Sequence, residues 1–321
     1  NEIDHLYNVI AMRLVISVTK SAINKTKETG NKYLLISEKH AWELLHKWYN
    51  ISSEFATYNF RNSCGYSSHP NYEKFKSWAL KQSIPITNLF PSVKKTKFNN
   101  IDLSVSTKFI EPSEVRDLEI FQYKIERLQE KFPDKILAGG YLEPRALYTT
   151  DKYGKSGNSG NENRTIHIGL DFWLPPKTPV HSIFDGEVVM ATNDAGDKEY
   201  GGLVVLKHKA KDFNFYTLYG HNSVKSATIN SVGDKIKKGD KISELGNYPE
   251  NGNWPPHLHF QIMLSMMDFK IDFPGVVYFN QINIWKEICP DPNLFFKSKS
   301  LDSKQEISSH ELINFRKKHL G

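Results

Sequence analysis

Pro256-His257-Leu258-His259-Phe260-Gln261-Ile262 decides how this chain is read. Two histidines stand two apart inside an apolar run. In a strand, side chains alternate between faces, so residues two apart share one. Both imidazoles are therefore expected on the same side. Two further phrases supply matching chemistry: His167-Ile168-Gly169-Leu170-Asp171 and Leu218-Tyr219-Gly220-His221. His167 and Asp171 also point one way on a strand, and Gly169 between them allows close approach of a ligand. A catalytic zinc takes three protein ligands, usually imidazole nitrogens with a carboxylate oxygen, and keeps a fourth position for water. His167, Asp171, His221, His257 and His259, in three ordered segments, read together as a zinc hydrolase site.

Around these segments the pattern is extended. After Gly139-Gly140 the apolar period becomes two, and short strands with Gly and Pro turns run to about residue 285. That pattern predicts a β-sheet or sandwich. Asp151 to Glu162, carrying Gly154, Gly157 and Gly160, reads as a polar loop before the first site residue.

The ordered phrases resemble the lysostaphin-like (LytM-type) zinc endopeptidases, which cut peptide crosslinks of bacterial peptidoglycan. That family carries His-x-x-x-Asp, a lone His after an aromatic, then His-x-His. Thr178-Pro-Val-His-Ser-Ile-Phe-Asp-Gly186, Gly233-Asp-Lys-Ile-Lys-Lys-Gly-Asp-Lys-Ile242 and Gly246-Asn-Tyr-Pro-Glu-Asn-Gly-Asn-Trp-Pro-Pro-His257 resemble its scaffold. The likeness runs over roughly residues 135 to 290. It implies an α+β chain whose zinc domain is an antiparallel all-β sandwich of the duplicated hybrid kind. It implies His167, Asp171 and His259 as zinc ligands, His257 as general base on the attacking water, and His221 as the residue that steadies developing charge. The implied substrate is a peptide or cell-wall fragment rich in small residues such as glycine or D-alanine.

The chain has twelve His, so isolated ones are expected on chance alone. His40, His46, His181, His208, His310 and His319 read as surface or satisfied core residues. The 321 residues allow two domains, and the net charge of +6 is mild. Lys94 to Lys97, Lys235 to Lys241 and Arg316 to Lys318 read as solvated turns and tails, without the interleaved aromatics a nucleic-acid surface needs. Leu14 to Val18 is bracketed by Arg13 and Lys20, so no membrane span is expected. Nor does a signal peptide show at the start, and a cytoplasmic location is expected. Cys64 and Cys289 lie far apart, which disfavours a disulfide framework.

Residues 1–85 read as helical. Leu6, Ile10, Leu14, Val18 and Ile23 recur at helical spacing, Ser37 caps a second helix, and Pro70 opens a third. Residues 86–110 read as a linker, 111–295 as the zinc domain with a helix over Ser113 to Lys131, and 296–321 as a tail. A chain starting near Glu111 is expected to fold alone. Met12-Arg-Leu-Val-Ile-Ser-Val and Tyr33-Leu-Leu-Ile-Ser-Glu-Lys-His-Ala-Trp42 resemble the closing helices of an aminoglycoside-phosphotransferase-like kinase, without its catalytic loop. Ser308 to Gly321 resembles the first helix of a class III aminotransferase. These flanks imply a slice of a kinase–peptidase–aminotransferase fusion. Beside the hydrolase reading stands a non-catalytic, zinc-containing binding or scaffolding domain. A sugar-phosphotransferase-type phosphoryl carrier fits less well, because a phospho-accepting His has no use for Asp171.

Overall fold

The computed structural model describes residues 2–27, 38–148, 150–157 and 160–302. Ser37, the first half of the Tyr33–Trp42 phrase and the whole Ser308–Gly321 segment lie outside the described residues.

The chain is α+β, built on an eight-stranded sheet. Its spatial order is Lys97–Asn100, Lys135–Gly139, Leu170–Trp173, His257–Met263, Phe213–Asn222, Gly201–Ala210, Gly186–Asp194 and Lys235–Ile236. The first pair is parallel and the rest antiparallel. Strands Gly201–Ala210 and Phe213–Asn222 form a hairpin whose two-residue turn places Lys211 at φ 48°. Left-handed backbone there matches the strand twist. Leu203, Val204, Val205 and Leu206 are all fully buried, so this strand is covered on both faces. Val204 and Leu206 pack with Phe172, Tyr219 and Phe260 on one side. Leu203 and Val205 pack with Ile168, Met263 and Trp285 on the other.

A small sheet of Glu143–Pro144, Ile166–His167 and Val276–Val277 stands beside the large one. It brings the start of the His167 phrase against the main sheet. Between the two sheets the backbone bends at Gly169. A Cβ there would lie 2.5 Å from His259 Cε1, so only glycine lets that ring in. The close approach read from the sequence is thus made by a histidine ring of the protein itself.

The helical expectation for residues 1–85 is met with changes. Helices cover Leu6–Lys27, Glu38–Tyr49, Ser53–Ser63 and Tyr72–Ala79. The third of these was not foreseen. Ser52 Oγ accepts from the Phe55 amide at its start. Nor are the last two a separate segment. Phe75 is fully buried against Phe213, Phe215 and Phe295, with ring centroids 5.5 to 6.3 Å apart. Ser265 Oγ donates to Glu54 at 2.6 Å.

The linker expected at 86–110 is corrected. Ile86–Leu89 is a helical turn, Leu89 and Phe90 are fully buried, and Lys97–Asn100 is the edge strand of the main sheet. Its apolar residues are too few for a periodic signal, but Ile86, Leu89, Phe90, Phe98, Ile101, Leu103 and Ile110 are all buried, while Val105 is exposed. Folding from Glu111 alone is therefore not expected. The Ser113–Lys131 helix is two helices, Pro112–Arg116 and Leu118–Lys131. Asp117 ends the first, and its Oδ1 accepts from the Ile120 amide to cap the second. Phe295 and Leu301 lie in the main core, so the tail does not begin cleanly at 296.

On the first helix Val18 is buried, Ile10 and Leu14 are half-buried, and Leu6 and Ile23 are exposed. The expected stripe is incompletely covered, and Val9, Met12 and Val15 on the other side are exposed too. Among the described residues one helical stretch, Glu2–Lys27, is long and apolar enough to cross a membrane by length and composition. Its mean hydropathy of 1.3 persists despite the bracketing Arg13 and Lys20. Cys64 and Cys289 are both free thiols.

Candidate metal centre

Backbone pairing assembles the centre. His259 sits directly opposite Asp171 on one neighbouring strand and opposite Gly220 on the other. His221 follows Gly220, and His257 lies two residues before His259 on the same face. His167 comes in from the small sheet, where the Ile168 amide donates to Gly275 O. His167, Asp171 and His259 each offer one ligand atom, and these lie within 4.8 Å of one another. His167 Nε2 and His259 Nδ1 are 2.8 Å apart, and Asp171 Oδ1 is 3.3 Å and 3.2 Å from them.

The outer nitrogens fix what faces inward. His167 Nδ1 donates to Gly140 O at 2.8 Å. His259 Nε2 donates to Gln261 Oε1 at 2.9 Å, and Gln261 Nε2 donates onward to Pro274 O. In neutral imidazoles this leaves a lone pair on His167 Nε2 and on His259 Nδ1. Burial pushes the His167 imidazole down to about 4, with Arg145 adding to the effect. Two lone pairs and a carboxylate oxygen then converge in a buried space. Such a set repels itself unless a cation joins it, and its donors suit zinc.

Asp171 has a partner that sequence reasoning missed. Arg145 Nη1 donates to Asp171 Oδ2, and Arg145 Nε donates to Glu143 Oε2, both at 2.7 Å. Burial works against the Asp171 charge, but His167 and Arg145 outweigh it and hold the carboxyl well below its usual range. Arg145 lies in the phrase Tyr141-Leu-Glu-Pro-Arg145, whose spacing to Asp171 carries no periodic signal. Only the small sheet brings the two together.

His257 and His221 stand beside the cluster rather than in it. His257 Nδ1 donates to Pro255 O at 2.7 Å, and its Nε2 lies 3.8 Å from Asp171 Oδ1. Its ring stacks on Trp173. His221 Nδ1 donates to Asn251 O at 2.9 Å, and the two rings are 4.3 Å apart. Both therefore turn Nε2 toward the open side. Burial lowers both imidazoles, so both are neutral near pH 7. His221 has φ 63°, uncommon for a residue other than glycine. Its amide donates to Tyr200 O, and its carbonyl accepts from the Gly246 amide. By contrast His208, buried elsewhere, donates to Asp185 O and meets Thr217 Oγ1, a satisfied core residue as expected.

The five residues open onto a cavity of about 350 Å³. Tyr200 and Trp254 flank it, with rings 5.4 to 6.3 Å from the site imidazoles.

Residues 165–270, which span all five site residues, match the sequence model of peptidase family M23. The chain carries an M23 peptidase domain. Among solved structures, the catalytic domain of the antimicrobial peptidase lysostaphin from Staphylococcus simulans is 28% identical. That alignment covers 38% of this chain and 82% of the other, with a TM-score of 0.26. A zinc-containing peptidase from Vibrio cholerae is 27% identical over 30% of this chain, with a TM-score of 0.24. There the match spans only 27% of the relative. The M23 match begins after Glu143, Arg145 and Gly140, so part of the shell around the centre comes from outside it.

Proposed function

We propose that this chain is a zinc-dependent hydrolase of peptide or amide bonds. His167 Nε2, Asp171 Oδ1 and His259 Nδ1 are the residues that would hold the zinc. The observation that carries the reading is their convergence with both outer imidazole nitrogens already engaged as donors. Bound zinc would polarise a carbonyl and lower the pKa of water toward neutrality.

The remaining work falls to the chain's own groups. Neutral His257, fixed through Nδ1 on Pro255 O, presents Nε2 to take a proton from the attacking water. His221, fixed in the same way on Asn251 O, stands beside it; it steadies charge on the tetrahedral carbon's oxygen only as an imidazolium, with Nε2 protonated as well. Arg145 holds the second oxygen of Asp171, which leaves Oδ1 as the single inward donor. The exposed Val9, Met12 and Trp42 support a further packing partner for the first two helices, consistent with a fused neighbouring domain.

Elemental analysis tests the metal. One zinc per chain is expected, and His167→Ala should lose it. His257→Ala should keep zinc while hydrolysis falls by about 10²–10⁴-fold. Zinc retained by His167→Ala would sink the ligand assignment.

A further inference from the structure

The centre is walled by residues that precede the M23 match. Leu103, Phe121, Leu147 and Tyr148 line one side of the cavity. The wall is no detachable strap. Leu103, Phe121, Leu147, Tyr148 and Tyr153 share one buried core with Trp173 and Trp254. Its strand Lys97–Asn100 is hydrogen-bonded into the main sheet. None of its side chains joins the metal-ligating set. Behind it the site residues are nearly closed off: Asp171 is 1% exposed and His257 6%. A polymer strand must pass a cleavage site in both directions, whereas a short molecule needs only room to enter. A cavity of about 350 Å³ falls at the small end of ligand sites.

Charge narrows the class further. Lys198 lines the cavity with no carboxylate in ion-pair distance among the described residues. Its Nζ stands 4.2 Å over the Trp254 ring and donates to Asn253 O. Trp254 Nε1, beside it, is buried without a hydrogen-bond partner among the described residues. On the Tyr200 side, Asp194 accepts from the Tyr200 amide and, among the described residues, meets no cation within ion-pair distance; nearby Lys152 is held by Glu199 at 3.0 Å, and Asp272 lines the same cavity. The Tyr200 hydroxyl is likewise buried and, among the described residues, unpartnered. A buried donor left unpaired costs about 1–3 kcal/mol, so partners are expected from a ligand or water. One region thus fits an anion and another a cation.

We infer that the substrate is a short peptide with both ends free, its carboxylate toward Lys198 and Trp254 Nε1 and its amine toward Asp194 and Asp272, and not a crosslinked polymer. The inference rests on the hydrolase reading for cleavage but not for binding, and the two are tested separately. Zinc-loaded full-length protein is mixed with a pooled tripeptide library with free ends, with the same library amidated, and with intact peptidoglycan sacculi. Mass spectrometry follows both products and peptides retained on ultrafiltration. The free-ended pool should be cut, the amidated pool at least 10-fold more weakly by kcat/KM, and sacculi left insoluble. Lys198→Met should shrink the preference for the free acid below 3-fold. Solubilised sacculi, or equal handling of the two pools by wild type, overturns the proposal. If nothing is cut, the hydrolase reading fails. Selective retention of the free-ended pool then still upholds the pocket assignment, and absence of retention overturns it.

Discussion

Gly169→Ala tests the geometry of the metal centre more directly than removal of a ligand. The new methyl would stand 2.5 Å from His259 Cε1, 2.6 Å from Nε2 and 3.0 Å from Phe260 O. Ordinary carbon contacts are about 3.5 Å or more, so the ring must retreat by roughly 1 Å. Zinc–nitrogen bonds tolerate only about 0.2 Å of error. The retreat also pulls Nε2 from Gln261 Oε1, now at 2.9 Å. Disturbing such an outer partner alone costs about 10–100-fold in metal affinity. With the ligand atom displaced as well, a loss of about 10²-fold or more is expected. The overpacking should cost about 1–3 kcal/mol of stability, so the protein stays folded. Zinc affinity is measured by competition with a chromophoric chelator, with circular dichroism confirming the fold. A folded variant with wild-type zinc affinity would refute the placement of His259 as a ligand.

A chain truncated to begin at Glu111 should fail to fold. It loses Phe75, Leu89 and Phe90, each fully buried, at about 1.5–3 kcal/mol apiece, together with the edge strand. A cooperative melt in the truncated chain would contradict the shared core. Stability should also fall with acid. His208 and His69 are pushed down by burial to about 4 against an ordinary 6.5, with Arg61 also acting on His69. Between those values the unfolded chain binds the extra protons. Their contribution is therefore complete above pH 6.5 and is lost as pH falls toward 4. The gap is worth on the order of 3 kcal/mol for each buried group. A melting temperature that stays flat from pH 7 to 4.5 would contradict this.

The short-range chemistry of this protein was written in its order of residues. His257 and His259 share a face because a strand repeats every two residues, and that period survives any tertiary context. The run of short strands after Gly140 and the helical start were legible for the same reason: each is specified by near neighbours in the chain. His208 could be set aside because it sat in no site phrase, and its two buried hydrogen bonds bear that out. What the sequence could not reveal lies in contacts between segments far apart along the chain. Phe90, Phe98 and Leu103 sit in a stretch too short and too polar to show a period, yet they close the core and the cavity. The pairing of Arg145 with Asp171 spans 26 residues and depends on a small sheet standing beside the large one. The wall that shapes the site is likewise a product of packing. Burial is decided by which surfaces meet in space, and only the tertiary structure brings those surfaces together.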